Sequence, residues 1–200
     1  TPSPKEEPKD SSFQFFIEQF ADLKILRYPV LGFEELTLPQ KELIYYLSQA
    51  AIEGRDIIFD QNYKYNLTVR RTLEAIYENY KGDRNSENFK AFEIYLKRVW
   101  FSNGIHHHYS SDKIDPGFNA SYFAELLAGI DAAKLPLKEG ENKETFNARI
   151  EPIIFDMNVD FKRVNQAEGQ DLIATSACNY YGDGITQAET EAFYAAMKNP

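Results

Sequence analysis

The stretch FEIYLKRVWFSNGIHHHYSSDK, residues 92–113, decides how this chain is read. Its first half continues an amphipathic pattern that starts at Phe89: Phe89, Phe92, Tyr95, Leu96, Val99 and Trp100 recur at helical spacing. Ser86 stands where an N-cap is needed, because its hydroxyl can accept from an otherwise unpaired backbone N–H of the first turn. Asn103-Gly104 then stops the helix, as Asn-Gly pairs do in turns. Residues 103–118 read as a loop or short hairpin carrying three consecutive histidines, His106, His107 and His108. A stiff aromatic helix that hands polar side chains to a loop is the pattern around which the other segments arrange themselves.

Upstream, Asn66 to Tyr80 reads as a helix with Leu67, Leu73, Ile76, Tyr77 and Tyr80 turned to the core, ended by Lys81-Gly82-Asp83. Before it, Thr37-Leu38-Pro39-Gln40 is a helix start, with Thr37 as cap, Gln40 completing a capping box and Pro39 in the first turn. That helix carries Leu43, Leu47, Ala50, Ala51 and Gly54 on one side and is expected to run on through Phe59. The small residues among these leave room for a second helix to approach. Phe13, Phe16, Ile17 and Phe20 have the i, i+3, i+4, i+7 spacing of a helical stripe. Leu23 and Ile25 alternate, which predicts a short extended segment before Pro29. Residues 1–12, TPSPKEEPKDSS, are Pro-rich and charged, and bury too little to offset the entropy of ordering, so they read as a disordered tether.

Downstream, Asn119 caps a helix containing Tyr122, Phe123, Leu126 and Leu127. A polar loop spans Leu135 to Asn142, and Glu144 to Phe155 predicts a helix with a break or kink at Pro152. The segment from there to Asp171 has no clear pattern, and Leu172 to Tyr181 reads as extended or irregular. Gly182-Asp183-Gly184 is a turn, and Thr186 with Glu189 forms a second capping box that opens a final helix to Met197. The expected fold is therefore mainly α, a single multi-helix domain over residues 13–200 with little β-structure. Pro200, just past that last helix, reads as a domain boundary or a cut.

Composition narrows the function classes. The chain has 43% hydrophobic and 26% charged residues, with 15 Phe and 13 Tyr, enough apolar surface for a sizeable core. A net charge of −9 argues against a nucleic-acid partner, which calls for a basic face. The single cysteine, Cys178, excludes an internal disulfide and a Cys-based zinc site. No apolar run approaches the ~18 residues of a membrane span, so no transmembrane segment is expected. The chain starts at Thr1, which reads as a processed end or a cut. A polar tether of this kind commonly follows cleaved export or lipoprotein signals, while a cytoplasmic tail has the same character; the location stays open, with a periplasmic or lipid-anchored one slightly favoured over a cytoplasmic one.

The three histidines invite a metal reading and then argue against it. A catalytic zinc ion needs three converging ligands, whereas neighbouring residues of an extended segment point to opposite sides, so only His106 and His108 could share a face. No H-E-x-x-H occurs. The carboxylates Glu34, Glu35, Asp56, Asp60 and Asp112 have no spacing that pairs them for acid–base work. Gly182-Asp183-Gly184 lacks the spacing of a phosphate loop, and there is no G-x-S-x-G nucleophile elbow. No catalytic residue and no metal ligand is assigned within these residues.

Three stretches together resemble the N-terminal region of the dipeptidyl peptidase III family of zinc metallopeptidases, and its bacterial members in particular. They are LPQKELIYYLSQAAIEGRDIIFDQNYKYNLTVRRTLEAIYENYKGD, FKAFEIYLKRVWFSNGIHHHYSSDK and SACNYYGDGITQAETEAFYAAM, in that order. The resemblance implies an exopeptidase that releases dipeptides from the free N-terminus of oligopeptides, built from two lobes around a wide cleft. It implies a zinc ion held by an H-E-x-x-G-H motif with a further Glu, all of which would lie beyond Pro200. This chain would then scaffold the lower lobe, carry no cofactor of its own, and pair with the missing catalytic lobe. The loop after the VWFSNG-like helix would face the oligopeptide substrate, with Tyr109 beside the pocket for the peptide's second residue and His108, Ser110 and Ser111 as its neighbours. A stand-alone, non-catalytic helical module that captures peptides or a protein through residues 103–113 is the alternative.

Overall fold

The computed structural model describes residues 13–197; the expected tether at 1–12 lies outside the described residues. Seven α-helices and one two-stranded antiparallel sheet make up the regular structure among them, so the fold is mainly α. Contacts divide the chain between Ala51 and Ile52 into two compact units, whereas the sequence reads as one domain from Phe13 onward.

The first unit opens with strands β1 (Phe16–Phe20) and β2 (Leu23–Leu26), paired Phe20 with Leu23 through Phe16 with Leu26, with an irregularity at Phe16/Glu18. The expected helical stripe at Phe13–Phe20 thus forms no helix, and its residues from Phe16 to Phe20 are a strand. Eight residues are too few for a helix to stand without packing. Aromatic and β-branched side chains favour a pleated surface when a partner strand follows at once. Ala21 carries φ +48 at the turn, the left-handed value that tight hairpin connections require. The extended segment at Leu23–Ile25 is as expected.

Helix α1 (Leu38–Glu53) begins where the capping residues place it, with the Thr37 N–H donating to Gln40 Oε1 at 2.9 Å. It does not run on to Phe59: the chain turns at Gly54 and a separate helix, α2 (Arg55–Asn62), follows. None of α1's sixteen residues is buried, and the small residues Ala50 and Ala51 stand exposed.

The second unit holds the core. Helices α2, α3 (Asn66–Asn79) and α4 (Glu87–Ser102) pack in succession, and α5 (Ala120–Ala128) packs on α6 (Lys143–Phe155). The predicted stripe of α4 is buried at Phe89, Phe92, Tyr95, Leu96 and Val99. Phe118 joins the two helix sets, its ring 5.8 Å from Phe92 and 5.5 Å from Phe155. Trp100, expected in that stripe, is 38% exposed, because it lies at the stripe's edge and its indole N–H donates to Glu74 Oε1 at 2.8 Å. Ser86 and Asn119 cap α4 and α5 as predicted, accepting from the N–H groups of Phe89 and Tyr122. Helix α6 passes Pro152 without a break: the proline sits in its last turn, where few bonds remain to be lost. Helix α7 (Gln187–Met197) opens with the reciprocal Thr186–Glu189 capping box.

Candidate functional site

The loop that leaves α4 is built on buried polar groups. Asn103 closes the helix in the left-handed conformation, with φ 52 and ψ 43. Gly104 follows at φ +147, and a Cβ there would come within 2.1 Å of the Asn66 side chain. Asn66 is fully buried and works on both sides: its Oδ1 accepts from the Ile105 N–H at 3.1 Å and its Nδ2 donates to the Phe59 carbonyl at 3.0 Å. The N-terminus of α3 and the end of α2 thus fix the exit of α4. Close backbone approach, rather than flexibility, is why glycine stands at 104.

Beyond this anchor the chain doubles back as a narrow hairpin. Ile114 N–H donates to Ile105 O at 2.8 Å and His107 N–H to Asp112 O at 2.7 Å, and His106 bridges Lys113. A second segment, residues 161–163, lies against the return arm. Lys113 N–H donates to Phe161 O and Arg163 N–H to Ser111 O, each at 2.8 Å. Arg163 also reaches the His108 carbonyl and Asn62 Oδ1 at 3.3 Å. Lys162 pairs with the Asp112 carboxylate and donates to the Ser110 carbonyl at 3.2 Å.

The three histidines fall in three environments. His106 is buried, with Nε2 2.7 Å from the Asp160 carbonyl. A carbonyl only accepts, so Nε2 carries the proton and Nδ1, which has no partner, keeps a lone pair. Burial pushes the His106 ring down to about 4, more than the opposing Asp160 carbonyl can offset. Tyr63 packs edge-on against the ring and donates its hydroxyl to Asp160 Oδ2 at 2.5 Å; burial, then Asp160, hold that hydroxyl protonated. His107 Nδ1 accepts from the N–H groups of Tyr109 and Ser110, both at 3.2 Å, and so closes the tip of the loop. His108 is half-buried, its ring 5.0 Å from Phe101. With His106 and His107 committed to backbone groups on different sides, the three do not converge on a metal. No cluster of three His, Cys, Asp or Glu suited to a metal exists among the described residues.

The residues expected to meet a peptide also separate. Tyr109 is 87% exposed at the tip. Ser110 is exposed and lines a cleft against α4. Ser111 is buried at φ +62 and serves the turn through its backbone. His108 supports Tyr109 from beside it, the two rings 4.5 Å apart. Below them, Lys113 is buried, its amine donating to the Asp156 carbonyl at 2.8 Å, and burial pushes that amine down. Lys162 holds the Asp112 carboxyl below the usual carboxylate range. The base of the loop is held by many hydrogen bonds, and its tip offers the phenol ring of Tyr109 and the serine hydroxyl of Ser110.

Asn66, Asp160 and Arg163 were missed in the sequence. Asn66 reads in the sequence only as the first residue of a helix, and the segment containing Asp160 and Arg163 has no clear pattern. Asn66 is the one that left a trace: a short amide at a helix start, thirty-odd residues before a turn that must itself be held. No protein-family model matches this chain, and no curated protein matches it.

Proposed function

We propose that this chain is the N-terminal part of the lower lobe of a zinc exopeptidase similar to dipeptidyl peptidase III, which releases dipeptides from the N-terminus of oligopeptides. In this reading it carries no catalytic group. It scaffolds the lobe and presents the 105–113 loop as one wall of the substrate cleft, with Tyr109 against the peptide. Zinc and its general base belong to the missing catalytic lobe, and no step of hydrolysis passes through a residue of this chain.

The observation that carries the reading is the contrast within the loop: a base tied to α3, α4 and residues 160–163, and a tip on which Tyr109 stands almost fully in solvent. Ordering a loop so thoroughly beneath an exposed aromatic suits a contact that must be held in place before its ligand arrives. The test uses the enzyme carrying this chain joined to its catalytic lobe. Tyr109→Ala should raise KM for an oligopeptide about tenfold with kcat little changed, the mark of lost ground-state binding. Residues 1–200 alone should release nothing from a dipeptidyl arylamide. Zinc-dependent release by the pure chain, or an unchanged KM, defeats the proposal.

The same exposed tip would serve a stand-alone peptide- or protein-binding module. A reading frame that stops at Pro200 favours that alternative; one that continues into H-E-x-x-G-H favours the peptidase.

A further inference from the structure

The last part of the chain carries charge of one sign only. Residues 164–197 include Glu168, Asp171, Asp183, Glu189 and Glu191 and no Lys, Arg or His. Helix α7, which ends this stretch, buries none of its residues. Between it and the turn at residues 181–185 lies a groove of about 480 Å³. Tyr181, Ile185, Phe193 and Tyr194 supply its apolar surface, and all four are exposed. Glu189 and Phe193, like Thr190 and Tyr194, are four residues apart and so share a face of the helix.

The rim of this groove is acidic. The Asp183 side chain is 97% exposed and pairs only loosely with Lys64, at 3.5 Å. Glu189 accepts from the Thr186 hydroxyl and N–H, and these bonds hold its carboxyl below the usual range, so it is charged at neutral pH. A contiguous apolar surface rimmed by polar groups marks a contact site. The charge decides the occupant. A second copy laid on the same face would set Asp183 and Glu189 against their own counterparts, and an anionic lipid surface would meet the same repulsion. A cationic group instead meets two carboxylates and two aromatic rings, all of which attract it.

We infer that the groove between α7 and the 181–185 turn docks a basic amphipathic segment of another polypeptide. Its apolar side chains lie on Ile185, Phe193 and Tyr194, and its Lys or Arg side chains reach Asp183 and Glu189. None of these residues belongs to the 105–113 loop, so the inference stands apart from the peptidase reading.

The test titrates the 200-residue chain, its isoleucine methyl groups labelled, with an acetylated, amidated hexapeptide of alternating lysine and leucine. Two control peptides each keep half of that chemistry: lysine with serine, and glutamate with leucine. The lysine–leucine peptide should move the Ile185 signal saturably, and both controls should bind at least about fivefold more weakly. Raising salt from about 0.05 to about 0.5 M should weaken binding severalfold, because the rim is exposed. Phe193→Ser, at a position 63% exposed, should weaken binding at least about fivefold without lowering the Tm. Asp183→Asn should weaken it about threefold. Absence of a saturable Ile185 shift, equal binding of either control, an affinity that salt does not change, or unchanged affinity in Phe193→Ser overturns the inference. So does an Ile185 signal that moves with protein concentration alone, together with a dimer that Phe193→Ser dissociates, since the groove is then an interface between copies.

Discussion

Helices α1 and α4 are each sixteen residues long, and their fates differ: six side chains of α4 are buried and none of α1. Their apolar content does not explain this. In α4 the apolar residues gather on one stripe, which a neighbouring pair of helices can cover. In α1, Leu43, Ile44, Tyr45, Tyr46, Leu47 and Ile52 are distributed around the axis, and each is at least 40% exposed. A helix that is apolar on several sides asks for cover on several sides. The comparison teaches that length and hydrophobicity predict a helix, whereas the distribution of the apolar residues predicts how many neighbours it needs.

The sharpest way to break the contrast is in α4. Phe92→Ala should cost about 3–5 kcal/mol in urea unfolding, because the ring is fully buried and its removal leaves a cavity beside Phe89 and Phe118. A loss below about 1 kcal/mol would mean that α4 is no better packed than α1.

What α4 holds in place can be tested by pH. The unfolded chain takes up a proton on His106 as pH falls through about 6.5, while the folded chain resists until about 4. His106 therefore contributes stability that is complete above 6.5 and is lost between 6.5 and 4. That gap corresponds to about 3 kcal/mol. His106→Gln, which keeps a donor to the Asp160 carbonyl, should remove this part of the pH dependence; identical stability profiles for variant and parent would refute it.

A smaller effect is expected at the exit of α4. Gly104→Ala places a methyl against Asn66 at a left-handed φ and should cost about 1–3 kcal/mol. The exchange protection of the Ile105 amide should fall with it. The smallest effect belongs to α1: Leu47→Ala, at 60% exposure, should change stability by no more than about 0.5 kcal/mol. A larger loss would show that α1 is covered in solution.

The pattern of success in the sequence follows the range of the forces involved. Thr37, Ser86, Asn119 and Thr186 all mark helix starts correctly, because a cap is decided within three residues. Phe13–Phe20 was misread because helical spacing was scored without weighing the strand partner that follows. Gly54 ended a helix that periodicity alone would have continued. At the candidate site, the place of Tyr109 on a loop after α4 was legible. The clamp beneath the loop was not legible. Its members, Asn62, Asn66 and Asp160 to Arg163, lie about forty to fifty residues from the loop on either side, and no local pattern announces them.

The clamp carries a consequence for the order of assembly. Residues 66–102 can form α3 and α4 as soon as they exist, and Asn66 can already set the exit at Ile105. The hairpin's return arm pairs with residues 105–107 but lacks its partner on the other side until Phe161 and Arg163 follow it from the ribosome. The surface that carries Tyr109 is thus completed late in synthesis, and a chain cut short at about residue 155 would have α1 to α6 without its finished loop.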